Sequence, residues 1–150
     1  MRVFLDANVL FSAAYQDASD LLVFFELARA GVIELTASTF ATEEARRNIT
    51  LKCPGRIAAL ESLIAELSEA AAPLSEHVAI AQAVGLPQKD APILAAALAV
   101  QADLLVTGDR NHFGQLFGRS IGRLKVQRPA DAIAAIIGKA QRKRPGRDSK

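Results

Sequence analysis

The feature that most constrains this chain is an alternation. Short runs rich in β-branched and large apolar residues, RVFLD (2–6), VIELTAS (32–38) and DLLVT (103–107), are separated by long stretches of helical pattern. Strands spaced this far apart cannot pair through tight hairpins. They pair in parallel through crossover connections, and a parallel sheet has to be covered on both faces. The expected fold is therefore α/β, a three-layer α/β/α domain around a mostly parallel sheet. A length of 150 residues fits one such domain with a full core.

The connecting segments carry their own punctuation. Ser19-Asp20 offers a cap for the helix LLVFFELARA, which Gly31 stops. TFATEEARRNITLK reads as a helix broken at Cys53-Pro54-Gly55. RIAALESLIAELSEA (56–70) places apolar residues at 57, 60, 63, 64 and 67, an amphipathic spacing. AAPLS (71–75) reads as a weak edge strand and EHVAIAQAVG as a helix ending at Gly85. Asp90 falls at or near the cap of an alanine-rich helix that carries Pro92 in its first turn and runs to Gln101. DLLVT is the clearest central strand; a short helix around 111–117, a late strand in GRSIGRLKV and a last helix opened by Pro129 follow.

Composition closes off several functions. The single cysteine, Cys53, excludes an intramolecular disulfide and a thiolate zinc site. An aromatic share of 5% speaks against single-strand binding by base stacking. No apolar run reaches the roughly 18 residues of a membrane span, and Asp6 interrupts what would be a signal-peptide core, so a soluble cytoplasmic protein is expected. The net charge of +2 is uneven: residues 139–150 hold six basic groups against Asp148, leaving 12 basic and 15 acidic groups elsewhere. A domain over 1–138 with a basic tail over 139–150 is the expected organisation. Such a tail either touches nucleic acid or serves as a solubilising end.

The acids are the most informative residues. The apolar stretch RVFLDANVL (2–10) holds Asp6 in its middle, where an unpaired buried carboxylate would be costly. Asp109 follows DLLVT by two residues, Asp90 opens a helix, and Glu43 and Glu44 lie about one turn into the helix after the second strand. In a parallel sheet all of these fall near the carboxyl ends of the strands, where ligands gather. Asp90 and Asp109 would also suit helix caps, and Glu43 and Glu44 would suit a helix first turn. A rim of carboxylates requires either cations from the protein, for which Lys89, Arg46, Arg47 and Arg110 are placed, or a hard divalent ion such as Mg²⁺ or Mn²⁺. Such an ion would activate water and stabilise the charge of an in-line attack on phosphate. His112 is close enough to Asp109 to reach this rim, whereas His77 reads as an ordinary helix residue. No phosphate-binding glycine loop and no nucleophilic-serine elbow is present.

LDANVL, the EEARR helix, KDAPILAAALA and DLLVTGDRNHF, in that order, resemble the PIN domain, the nuclease fold of VapC-like toxins and related ribonucleases. The resemblance covers about residues 1–138. It implies a metal-dependent endoribonuclease holding one or two Mg²⁺ or Mn²⁺ ions on Asp6, Glu44, Asp90 and Asp109. Glu44 is favoured over Glu43 because Glu44-Ala45 and Ile49 reproduce the family's apolar spacing. Asn8 and Thr107 match polar positions flanking the acids, and Arg46, Arg47 and Arg110 are candidates for phosphate contact. An RNA substrate, an antitoxin partner and a homodimer are implied in the same way. The alternatives are a catalytically inactive PIN-like module that binds RNA or protein, and a metal-dependent phosphatase on a related fold.

Overall fold

A computed structural model describes residues 1–69 and 73–142. The order is β1 (Arg2–Leu5), α1 (Ala7–Tyr15), a 3₁₀ turn (Asp20–Leu22) leading into α2 (Val23–Arg29), β2 (Glu34–Ala37) and α3 (Thr39–Lys52). A second 3₁₀ turn (Pro54–Arg56), α4 (Ile57–Ile64), β3 (Ser68–Glu69), α5 (Ser75–Ala83), α6 (Ala91–Ala99) and β4 (Leu104–Val106) follow. The chain continues through α7 (Arg110–Phe113), a 3₁₀ turn (Gly114–Leu116), β5 (Ser120–Ile121), β6 (Leu124–Gln127) and α8 (Pro129–Arg142).

The strands form one sheet in the order β3-β2-β1-β4-β6-β5. Four of its pairings are parallel, and only β5 runs antiparallel to β6. From β1 the chain steps outward to β2 and β3, then returns to the other side of β1 with β4. Right-handed crossovers in opposite directions place their helices on opposite faces. The sheet is thus covered on both sides, as the alternation of elements predicts. The reversal between β1 and β4 is a topological switch point, where the connections leave in opposite directions and a crevice opens at the carboxyl ends. Val3, Phe4 and Leu5 of β1 and Leu104, Leu105 and Val106 of β4 are buried, as are Ile93 to Ala97 of α6.

Several sequence expectations change. The strand in RVFLDANVL ends at Leu5, and α1 begins at Ala7. A continuous apolar run does not reveal this switch, because a buried strand and a buried helix look alike by composition. Asp6 makes it: its side chain accepts the Ala7 N–H and its carbonyl accepts those of Val9 and Leu10. The helix expected over 56–70 stops at Ile64, and 3₁₀-type bonds from Glu66 and Leu67 unwind its end. Ser68 is drawn into the sheet beside Thr36, whose hydroxyl donates to the Ser68 carbonyl at 2.7 Å. The outer strand is thus Ser68–Glu69 rather than 71–75; Leu74 caps α5, Ser75 opens it, and residues 70–72 lie outside the described residues. The late strand is a hairpin of β5 and β6, with Gly122 at φ 62 in a left-handed conformation that a residue with a Cβ disfavours. α8 runs past Gly138 to Arg142, and residues 143–150 of the basic tail lie outside the described residues.

Candidate metal centre

Asp6 follows β1 directly, Thr107 follows β4, and the pairing of Leu5 with Val106 sets them side by side. Thr107 is fully buried and its hydroxyl is saturated. It donates to Asp6 Oδ2 at 2.8 Å and accepts from Asn8 Nδ2 at 3.2 Å and the Asp109 N–H at 3.1 Å. Asn8 closes the network, donating to Asp6 Oδ2 at 3.1 Å and accepting the Gly108 N–H at 2.9 Å. One hydroxyl therefore fixes the carboxylate after β1 against the backbone that carries Asp109 after β4.

Asp6 is only 5% exposed. Burial pushes its carboxyl up from 3.8 to about 6; the hydrogen bonds from Thr107 and Ala7 oppose this, and the charges of Glu44 and Asp90 add to it. Those two charges place Glu44 and Asp90 within electrostatic reach of Asp6. Glu44 is half-buried on α3, whereas Glu43 is exposed and its field falls on Arg46 instead.

Asp90 occupies the cap position of α6 but makes no side-chain cap bond, so its carboxylate is free for other contacts. Asp109 caps α7 with Oδ1 alone, accepting the N–H groups of Asn111 and His112, both at 3.1 Å. Its Oδ2 lies 2.7 Å from His112 Nδ1, and Asp90 Oδ2 lies 3.2 Å from the same nitrogen. Neither approach has hydrogen-bond geometry, so Asp90 Oδ2 and His112 Nδ1 are buried atoms without a hydrogen-bond partner, although both contacts are ion pairs whenever the ring is protonated. Asp90 is shifted upward by burial and by the Asp109 charge, against the opposing fields of His112 and Lys89. Asp90, Asp109 and His112 each present a ligand atom within 4.8 Å of one another.

Among the described residues, no lysine or arginine forms an ion pair with Asp6, Glu44, Asp90 or Asp109; the contact to Asp90 and Asp109 is His112. Arg46 is held by Glu61 through two bonds of 2.7 and 3.0 Å, so its guanidinium is already engaged. Arg47 and Arg110 are exposed. A cleft of about 350 Å³ opens on the same edge of the sheet, beside the end of β2, lined by residues including Ser38, Thr39, Thr42 and Arg46. Carboxylates that no described lysine or arginine pairs, gathered around one imidazole nitrogen, fit a divalent cation.

His112 is the residue that sequence reasoning undervalued. The GDRNHF spacing carries a signal, since positions 109 and 112 share a helix face, but the approach of Asp90 comes from a distant segment. His77 does local work, accepting the Leu74 N–H at 3.1 Å at the start of α5.

Comparison with known proteins gives a consistent relationship. A family model described as PIN domain matches residues 2–111. VapBC2 from Rickettsia felis, solved bound to a DNA fragment from its promoter, is similar at a TM-score of 0.65 and 17% identity, covering 85% of this chain and 98% of that one. PAE2754 from Pyrobaculum aerophilum is similar at 0.63 and 15%, covering 92% and 96%. FitAcB from Neisseria gonorrhoeae is similar at 0.56 and 16%, covering 85% and 97%. No curated protein matches in sequence. Among the described residues no helix is long and apolar enough to cross a membrane.

Proposed function

The chain belongs to the PIN domain family, and from that premise we propose that it is a metal-dependent endoribonuclease, the toxin of a toxin–antitoxin pair. The observation that carries the reading is the gathering of Asp6, Asp90 and Asp109 around the β1/β4 switch point, with Asp6 buried and none of them paired with a described lysine or arginine. Asp6, Glu44, Asp90 and Asp109 would hold one or two Mg²⁺ or Mn²⁺ ions. Bound there, such an ion supplies Lewis acidity, water activation and neutralisation of charge developing on a phosphodiester.

The chain's own residues do the positioning. Thr107 and Asn8 hold Asp6 in one orientation and tie it to the Asp109 backbone, so the two carboxylates stay in register without the ion. The shift of Asp6 to about 6 keeps it ionised at neutral pH yet destabilised, so a cation relieves a cost built into the fold. Exposed Arg47 and Arg110 suit contact with the RNA backbone more than Arg46, which is committed to Glu61. Resemblance to VapC-like toxins supports an antitoxin partner, a homodimer and a cytoplasmic setting.

The test is cleavage of a mixed RNA pool by metal-free protein, with and without added Mn²⁺ or Mg²⁺, beside Asp6→Asn and with a small phosphate ester as control. Metal-dependent RNA cleavage lost in the variant is expected. Cleavage that survives in the variant contradicts the assignment, and turnover of the phosphate ester without RNA cleavage favours a phosphatase.

A further inference from the structure

We propose that the imidazole of His112 is itself a metal ligand, forming with Asp90 and Asp109 a mixed nitrogen–oxygen seat that favours first-row transition-metal ions over Mg²⁺. The inference rests on the metal-dependent reading above and goes beyond an all-carboxylate centre. His112 Nδ1 lies 2.7 Å from Asp109 Oδ2 and 3.2 Å from Asp90 Oδ2, and the three donors fall within the span one ion can bridge.

The local structure explains why these donors are available. Asp109 uses Oδ1 for the two N–H groups of the α7 first turn, which turns Oδ2 toward the ring. Asp90 sits at the start of α6 without capping it, although a carboxylate there would ordinarily take a backbone N–H. Asp90 Oδ2 and His112 Nδ1 are both buried atoms without a hydrogen-bond partner, and the ring nitrogen lies between the two carboxylate oxygens. Three electron-rich atoms converging in this way call for a positive charge among them. Two arrangements supply it: a cation bound by the ring, or a protonated ring standing in the cation's place.

The two arrangements separate by metal identity. Mg²⁺ prefers hard oxygen ligands and retained waters, whereas an imidazole nitrogen raises affinity along the series from Mn²⁺ to Co²⁺. Calorimetric titrations of Mg²⁺, Mn²⁺ and Co²⁺ into metal-free wild type, His112→Ala and His112→Asn provide the test. As a ligand, His112 gives losses graded Co²⁺ > Mn²⁺ > Mg²⁺ on substitution, on the order of tenfold or more for Co²⁺ and little for Mg²⁺. His112→Asn, which keeps a polar oxygen and guards against a folding defect in the alanine variant, should show the same gradation. Pulsed electron resonance of bound Mn²⁺ should show a directly coordinated nitrogen in wild type that both variants lack. Equal losses for all three ions would overturn the proposal by showing that the ring acts only through the structure around it, and tighter binding by the variants would overturn it by identifying the ring as a stand-in cation. Failure of wild type to bind any of the ions would instead overturn the metal-dependent reading beneath it.

Discussion

Asp6→Asn should make the metal-free protein more stable, and only at higher pH. The folded state holds the Asp6 proton more tightly than the unfolded chain, since the carboxyl moves from 3.8 to about 6 on folding. Stability is therefore undiminished below about pH 4, falls as pH rises through 6, and is lower by about 3 kcal/mol at pH 8. Asparagine removes that loss. It still accepts the Ala7 N–H through its carbonyl oxygen, but its amide nitrogen then faces Asn8 Nδ2 and the Thr107 hydroxyl, two donors that now bond Asp6 Oδ2 at 3.1 and 2.8 Å. Two lost hydrogen bonds of this kind cost about 2 kcal/mol, leaving a net gain of about 1 kcal/mol. For a domain of this size that raises Tm by about 2–4 °C. Thermal unfolding in chelator at pH 8 and pH 4 reads it out. The gain should be present at pH 8 and shrink to nothing, or reverse, at pH 4. A variant destabilised at both pH values, or stabilised equally at both, would refute the placement of a strained ionised carboxylate at this position.

Other consequences follow from the same network. Thr107→Val removes a buried hydroxyl that makes three bonds, and should cost about 1–3 kcal/mol in chemical denaturation and weaken Mn²⁺ about tenfold or more in calorimetry. Mn²⁺ affinity in wild type should fall about tenfold per pH unit below 6, with proton release on binding seen by comparing buffers of different ionisation enthalpy, because Asp6 must lose its proton. Glu44→Gln should weaken Mn²⁺ binding while Glu43→Gln leaves it unchanged, since the field of Glu44 reaches Asp6 and Glu43 is exposed; equal effects would reverse the choice between them.

The broad architecture was legible because it follows from connection lengths. Short strands separated by helices permit few topologies, and the rule that ligands collect at strand carboxyl ends brings Asp6, Asp90, Asp109 and the Glu43–Glu44 pair toward one rim, with Glu44 preferred only through the family resemblance. What was not legible is where local preference yields to tertiary context. Residues 3–10 are apolar throughout apart from Asp6 and Asn8, and only the cap made by Asp6 tells where strand becomes helix. Leu67-Ser68-Glu69 continues an amphipathic spacing, yet sheet pairing with Thr36 ends the helix early. Asp90 looks like a cap by position; that its carboxylate is free instead, and faces His112, depends on a contact between segments 22 residues apart. Sequence spacing cannot report such a contact.

The central claim is that Asp6 is there for a cation. Calorimetric titration of Mn²⁺ into metal-free wild type and Asp6→Asn at neutral pH tests it most directly, and needs no knowledge of the RNA target. Saturable binding by wild type that the variant loses is the predicted result. No binding by wild type, or equal binding by both proteins, would contradict it.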